Sequence, residues 1–336
     1  MNRSDNKRRA ARRRRQQRRA VFSVMAVLIV ILVVIAVAVT LGGNKNKASE
    51  TPANSDAAET SSQDGTSASA PAETEATVTE APADVTLSSD QVRKGDLLLV
   101  NGTYQYDFDA NSDINLVNIK ETQTYDYPLS KEEFMVASHI MAPLDEMIRA
   151  CDEAMGTHYT SISSAYRTLE YQQNVWQQMA DLYGESYSEK YVATPGYSEH
   201  HTGLAVDLGI IYGDGSEGSF SESQNAVWMK EHCADYGFVR RYAEDKIEIT
   251  GISNEAWHFR YVGVPHARYM VDHNLCLEEY IAYLRDHTSP AEPLEIETGS
   301  GRYGVYFTEE GTFTEPEKAY TVSGNNVDGC IVTFEM

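Results

Sequence analysis

The chain has 336 residues, 50 of them acidic, and a net charge of −22 that is very unevenly placed. Ten of the 28 basic residues and one acid, Asp5, precede position 20, whereas 18 basic and 49 acidic residues follow position 42, a net of −31 there. So acidic a body excludes nucleic acid as a partner, and it is not built to adhere by charge to an anionic wall or lipid surface.

Residues 1–19 hold Arg3, Lys7, Arg8, Arg9, Arg12, Arg13, Arg14, Arg15, Arg18 and Arg19. Ala20–Leu41 follows without a charge, about 22 residues of mostly Val, Ile, Leu and Ala, long enough to cross a hydrocarbon core. The basic flank orients such a segment with its N-terminus in the cytoplasm. Residues 20–42 are therefore expected to be a single-pass transmembrane anchor in the cell membrane, with everything after it extracytoplasmic. A cleaved signal peptide would have a shorter apolar region and a small-x-small site after it. Residues 43–89 are Ala, Ser, Thr, Glu, Pro and Asp with almost no large apolar side chain. Such a stretch cannot offset the entropy of ordering and reads as a disordered tether that gives reach.

Leu97–Val100 reads as a short strand before a turn at Asn101-Gly102. Ser130 to Gly156 is expected to be helical, with Ser130 and Glu133 as a capping box, an apolar stripe through Leu144, Met147, Ile148, Cys151 and Met155, and a kink at Pro143. Leu169 to about Tyr183 predicts a second amphipathic helix. Ser221 to Tyr236 predicts a third, with Ser221 and Gln224 at its start and Gly237 at its end. Helical spacing recurs at His266–His273 and Leu277–Asp286. Gly203–Ile211 and Trp257–Val262 read as strands. After Pro290, Tyr303–Thr308, Ala319–Ser323 and Cys330–Phe334 alternate like short strands, with a turn at Asn325–Gly329. Together these elements indicate an α+β domain over 90–288 and a small β appendage over 289–336, with no internal repeat. Cys151, Cys233, Cys276 and Cys330 are widely spaced with no C-x-x-C pair, which excludes a zinc ribbon; Cys151 and Cys233 lie on apolar helical faces, as buried thiols do.

Three segments carry chemistry: Ser164-Ala165-Tyr166-Arg167; Ser198-Glu199-His200-His201-Thr202-Gly203-Leu204-Ala205-Val206-Asp207; and Glu255-Ala256-Trp257-His258. Two imidazoles and a carboxylate suit a tetrahedral cation site with one open position, where bound water is acidified to a pKa of about 7. A further carboxylate can shuttle the proton and a guanidinium can stabilise an oxyanion. Asp207 lies on an alternating strand, His200 enters from the turn before it, and Gly203 lets the chain bend between them. Glu255 and His258 open another strand, and two adjacent strands would converge these groups. Taken singly, the same residues also fit ordinary roles: a polar turn at Ser198–His201, a solvated acid at Glu255, a surface ion pair at Arg167, and a core position for Trp257.

The ordered combination S-x-H-x-x-G-x-A-x-D, E-x-W-H about fifty residues later, and S-x-Y-R upstream resembles the VanY-type D-alanyl-D-alanine carboxypeptidases over about residues 90–285. These zinc peptidases are related to D-Ala-D-Ala dipeptidases, L,D-carboxypeptidases, phage endopeptidases and the Hedgehog signalling domain. The resemblance implies a small antiparallel sheet flanked by helices and one zinc ion on His200, Asp207 and His258. It implies Glu255 as general acid/base and Arg167 as stabiliser of the oxyanion or substrate. Ser198 and Gln172 match positions that contact substrate in relatives, and Ser164, Tyr166 and Trp257, within the same motifs, are expected to bind substrate with them. His201 stands where relatives often have Gln; neighbouring residues point apart, so only one of His200 and His201 is expected on the metal. The implied substrate is a peptidoglycan stem peptide losing its terminal D-Ala. An L,D-carboxypeptidase acting on the tetrapeptide shares the motifs, as would a cross-link endopeptidase. A non-catalytic zinc-containing wall-binding module would need the three ligands but neither Glu255 nor Arg167.

Overall fold

The computed structural model describes residues 84–309 and 312–336. In chain order its elements are β1 (Asp84–Thr86), β2 (Leu116–Asn118), α1 (Ile119–Thr122), β3 (Met135–Ala137), α2 (Met141–Met155), β4 (Thr160–Ser164), α3 (Leu169–Tyr183) and α4 (Glu185–Tyr191). They continue as β5 (Ala205–Ile211), β6 (Glu217–Gly218), α5 (Gln224–His232), β7 (Phe238–Tyr242), α6 (Ile247–Thr250), β8 (Glu255–Tyr261), α7 (Val264–Asp272) and α8 (Leu277–His287). The C-terminal strands are β9 (Leu294–Thr298), β10 (Gly301–Glu309), β11 (Thr312–Thr314), β12 (Tyr320–Gly324) and β13 (Gly329–Glu335). This is the mixed α+β architecture, with small antiparallel sheets, expected from the sequence.

The central sheet has the order β4-β5-β8-β7, antiparallel throughout, with β6 added to β5. Strand alternation gives it two unlike faces. Val206, Leu208 and Ile210 of β5, Phe238 of β7 and Phe259 of β8 point into a core shared with Leu144, Met147, Ile148 and Cys151 of α2 and Met229 of α5. Each such fully buried side chain contributes roughly 1.5–3 kcal/mol. The intervening positions, Asp207, Arg241, His258 and Arg260, belong to the other face and are also buried. Polar groups there have to find partners, and that face is where the chemistry collects.

The helix expected from Ser130 starts eleven residues later, at Met141. Met135–Ala137 instead pairs with Leu116–Asn118. Pro143 then falls in the first turn of α2, where no backbone donor is needed, so it opens the helix and does not kink it. Gly156 closes it in the left-handed conformation at φ 64°. On α5 the cap is Ser223, whose side chain accepts from the Ala226 N–H, and not Ser221. Leu97–Val100 pairs in no sheet, but all four side chains are buried.

The C-terminal sheet has the order β12-β13-β10-β9. Its Ile296, Val305, Phe307 and Ile331 share one apolar cluster with Leu97, Leu99, Met270, Leu277, Tyr280 and Leu284. Asp84–Thr86, inside the stretch read from sequence as tether, pairs with Thr312–Thr314, because Val85 packs with Phe313 on a third apolar cluster. The expected membrane anchor at 20–42 and the basic segment before it lie outside the described residues. Among the described residues no helix is long and apolar enough to cross a membrane. All four cysteines are buried.

Candidate metal centre

Asp207 and His258 are directly paired across β5 and β8. Directly opposed residues of an antiparallel pair share a face with Cβ atoms about 5 Å apart. His258 Nδ1 accordingly lies 3.1 Å from Asp207 Oδ1. His200 sits on a 3-10 turn, Glu199–Thr202, that runs into β5 through Gly203. Gly203 has φ 70°, a conformation that favours glycine, and a Cβ there would also crowd Leu116 Cδ2 at 2.9 Å and the Ala137 backbone nitrogen at 3.1 Å. This turn puts His200 Nε2 3.4 Å from Asp207 Oδ2.

Two strand irregularities bring in the remaining groups. Between Phe259 and Glu255, β8 spends four steps against two on β7, from Arg240 to Tyr242. The resulting bulge turns Glu255 onto the His258 face, with Oε2 3.7 Å from His258 Nδ1. Between Ile162 and Ser164, β4 likewise spends two steps against one on β5. Ser164 thereby stands opposite Asp207, and its Oγ accepts from Arg167 Nε at 3.1 Å and Nη2 at 2.8 Å. Arg167 Nη2 also reaches Asp207 Oδ2 at 3.1 Å, and Nη1 donates to Gln172 Oε1 at 3.2 Å.

One donor atom from each of His200, Asp207 and His258 lies within 4.8 Å of the others, and all three residues are buried. His200 Nδ1 donates to the Ala165 carbonyl, which leaves Nε2 as the lone-pair nitrogen on the site side. Asp207 Oδ1 is buried without a hydrogen bond: His258 Nδ1 is close enough but not aligned with it. A buried carboxylate oxygen left this way is costly unless a cation takes it up. Two imidazoles, one carboxylate and an open side fit a tetrahedral divalent cation. His201 is excluded from the set, since its Nε2 accepts from Gly196 N–H and its Nδ1 donates to the Arg167 carbonyl.

Burial, and then Arg167, push His200 down to about 4, so it is a neutral imidazole. Burial opposes charge on Asp207, but His200 and His258 outweigh it and hold the carboxyl well below its usual range. On His258 burial is likewise outweighed, by Asp207 and Glu199, and the ring is lifted to about 9. Burial raises Glu255 to about 7, while the side chain keeps 20% exposure and so remains within reach of water.

The expected substrate contacts fare differently. Gln172 is fully buried, with its amide on Arg167 and the Ala193 carbonyl, so it braces the guanidinium. Ser164 braces it too. Ser198 is buried at 2% exposure, and Tyr166 is half-buried with its N–H on the Met135 carbonyl. Trp257 packs against the apolar core on the side away from His258. Sequence reasoning missed Glu199, Arg241, Arg260 and Glu278. For Arg260 the signal available was alternation of charge with aromatics in Trp257–Tyr261; nothing local marked Glu199, Arg241 or Glu278.

Such a centre is that of a hydrolase that cuts peptide bonds with the help of a metal, and comparison with known proteins narrows the class. The family model described as VanY, D-alanyl-D-alanine carboxypeptidase, matches residues 133–264, which include Arg167, His200, Asp207, Glu255 and His258. A D-alanyl-D-alanine carboxypeptidase of Enterococcus faecium is 32% identical over 253 residues, covering 74% of this chain and 78% of that protein. The bifunctional D-Ala-D-Ala dipeptidase and carboxypeptidase VanXYC of Enterococcus gallinarum is 43% identical over 122 residues, 35% of this chain and 64% of that protein. The crystal structure of the vancomycin resistance D,D-dipeptidase VanXYg superposes with a TM-score of 0.66 at 30% identity, covering 76% of this chain and 99% of that one. The chain belongs to the VanY D-alanyl-D-alanine carboxypeptidase family.

Proposed function

We propose that the protein is a zinc-dependent carboxypeptidase that removes the terminal D-alanine of peptidoglycan stem pentapeptides. We further propose that it works at the outer face of the cytoplasmic membrane, held there by residues 20–42. The convergence of His200, Asp207 and His258 on one buried point, beside Glu255, carries the reading. The uncharged run after a dense basic segment supports the anchor. A zinc ion on those three side chains would acidify a water and polarise the scissile carbonyl. The Glu255 carboxylate takes a proton from the attacking water and delivers it to the departing nitrogen as the C–N bond breaks, so D-alanine leaves as its amine. Arg167, braced by Ser164 and Gln172, offers N–H donors to the charge gathering on the carbonyl oxygen.

The test gives full-length, zinc-loaded protein a pentapeptide ending in D-Ala-D-Ala, with the tetrapeptide alongside, and reads products by mass spectrometry. One alanine should be lost from the pentapeptide, and chelation should abolish the loss. Glu255→Gln should keep its zinc and its fold while slowing release by on the order of 10²–10⁴-fold. Loss from the tetrapeptide alone would move the enzyme to the L,D class. Turnover by Glu255→Gln at the wild-type rate would remove Glu255 from the mechanism.

A further inference from the structure

We propose that Glu199 is a positioning residue for the metal centre: it fixes the tautomer of His258, so that Nδ1 is the nitrogen offered to the cation. The inference rests on reading His200, Asp207 and His258 as a zinc site.

Glu199 has no side-chain exposure. Its Oε1 accepts from Arg241 Nε at 2.8 Å and from Arg260 Nη1 at 3.0 Å. Its Oε2 lies 3.3 Å from His258 Nε2. A carboxylate clasped by two guanidinium groups is an acceptor only. The ring nitrogen facing it must therefore carry the hydrogen, so in the neutral ring that a cation requires the lone pair falls on Nδ1, on the side of Asp207 and Glu255. His200 is set in the opposite sense, through Nδ1 on the Ala165 carbonyl. Each imidazole thus has one nitrogen spent on the protein and the other turned toward Asp207.

The brace behind Glu199 is deep. Arg241 is held by Glu278 through two hydrogen bonds of 2.8 and 2.7 Å. Arg260 Nη2 donates to the carbonyls of Asp96 at 2.9 Å and Leu98 at 3.0 Å. That segment is gripped in turn by the C-terminal strands, with Leu97 N–H on Ser323 Oγ and Leu99 N–H on the Asn325 carbonyl. A purely structural ion pair would need Glu199 only as a counter-charge for Arg241 and Arg260. It would not require the second oxygen to meet the ring.

Glu199→Gln in the full-length protein separates the two roles. The amide oxygen can go on accepting from Arg241 and Arg260, which turns the amide N–H₂ toward His258 Nε2. Two N–H groups cannot face each other, so the ring is driven to carry its hydrogen on Nδ1 and loses the lone pair offered to zinc. The variant should fold by circular dichroism, bind zinc 10–100-fold more weakly in competition with a chromophoric chelator, and show an altered Co(II) visible spectrum. Glu278→Gln, which loosens Arg241 but leaves Glu199 on the ring, should bind zinc nearly as tightly as wild type. If Glu199→Gln binds zinc like wild type with an unchanged Co(II) spectrum, or if Glu278→Gln weakens binding equally, the proposal fails. Should Glu199→Gln not fold, Glu199→Asp keeps the charge but draws it back from the ring; weakened binding would support the proposal and unchanged binding would overturn it. A wild-type protein that takes up no zinc would sink the reading of the site itself and leave nothing for Glu199 to position.

Discussion

At the scale of single residues, environment decides which of several acids does chemistry. Asp207, Glu199 and Glu255 all border His258, yet they differ in charge state. Burial opposes charge on Glu199, but Arg241 and Arg260 outweigh it and hold the carboxyl far below its ordinary range. No such clasp meets Glu255, and burial lifts it to about 7. A base works only when deprotonated, so kcat/KM for the pentapeptide should fall as pH drops through about 7. A cation on the neighbouring ligands draws that value down, which puts the acid limb at or below this point. A pH–rate profile checks this, and an acid limb above about 7, or none at all while the metal stays bound, would contradict it. The candidate ligands and Glu255 were legible in the sequence because Asp207 is seven positions from His200 and Glu255 three from His258, within single turns or strands. Glu199 was not legible: its partners Arg241, Arg260 and Glu278 come from distant segments, and nothing local marks an acid whose counter-charges lie across a sheet.

Among the elements, register and bulges do the aiming. Asp207 opposite His258 follows from the pairing of β5 with β8, and a slip of one residue would send one of them into the apolar core. Plain alternation would put Glu255 on the Trp257 and Phe259 side; the bulge in β8 reverses that, and no turn residue announces it. Between elements, His266 on α7 ties α8 to β13, with Nδ1 on Tyr280 OH at 2.8 Å and Nε2 on Thr333 Oγ1 at 3.1 Å. Burial pushes His266 down to about 4 from an ordinary 6.5. The unfolded chain takes up this proton first, so the stabilisation is complete above about pH 6.5 and is lost as pH falls toward about 4. The loss amounts to at most roughly 3 kcal/mol. Urea unfolding at several pH values should show a flatter acid slope for His266→Gln than for wild type. Equal slopes would mean that His266 does not carry the effect.

On the scale of the whole molecule, the residues read from sequence as an appendage share a core with the helices that follow the site. Ile296, Val305, Phe307 and Ile331 cover Met270, Leu277, Ile281 and Leu284. Strand β12 and the turn after it also grip the chain at 92–99, whose carbonyls hold Arg260. A protein ended at residue 288 should therefore lose its cooperative unfolding transition and its tight zinc uptake together, measured by thermal melts and chelator competition. If the shortened protein melted at the full-length temperature and bound zinc equally well, the strands would be independent of the site. What the sequence determined by itself was local: the amphipathic spans of α3, α7 and α8, the alternation of β5, the glycine at position 203, and the short-range ligand motifs. Each of those is set by neighbours within one or two turns. The tertiary structure alone decided which strands pair, where the bulges fall, which of His200 and His201 turns to Asp207, and which buried charges meet. Those outcomes depend on contacts between segments far apart in the chain, whose energies no local pattern encodes.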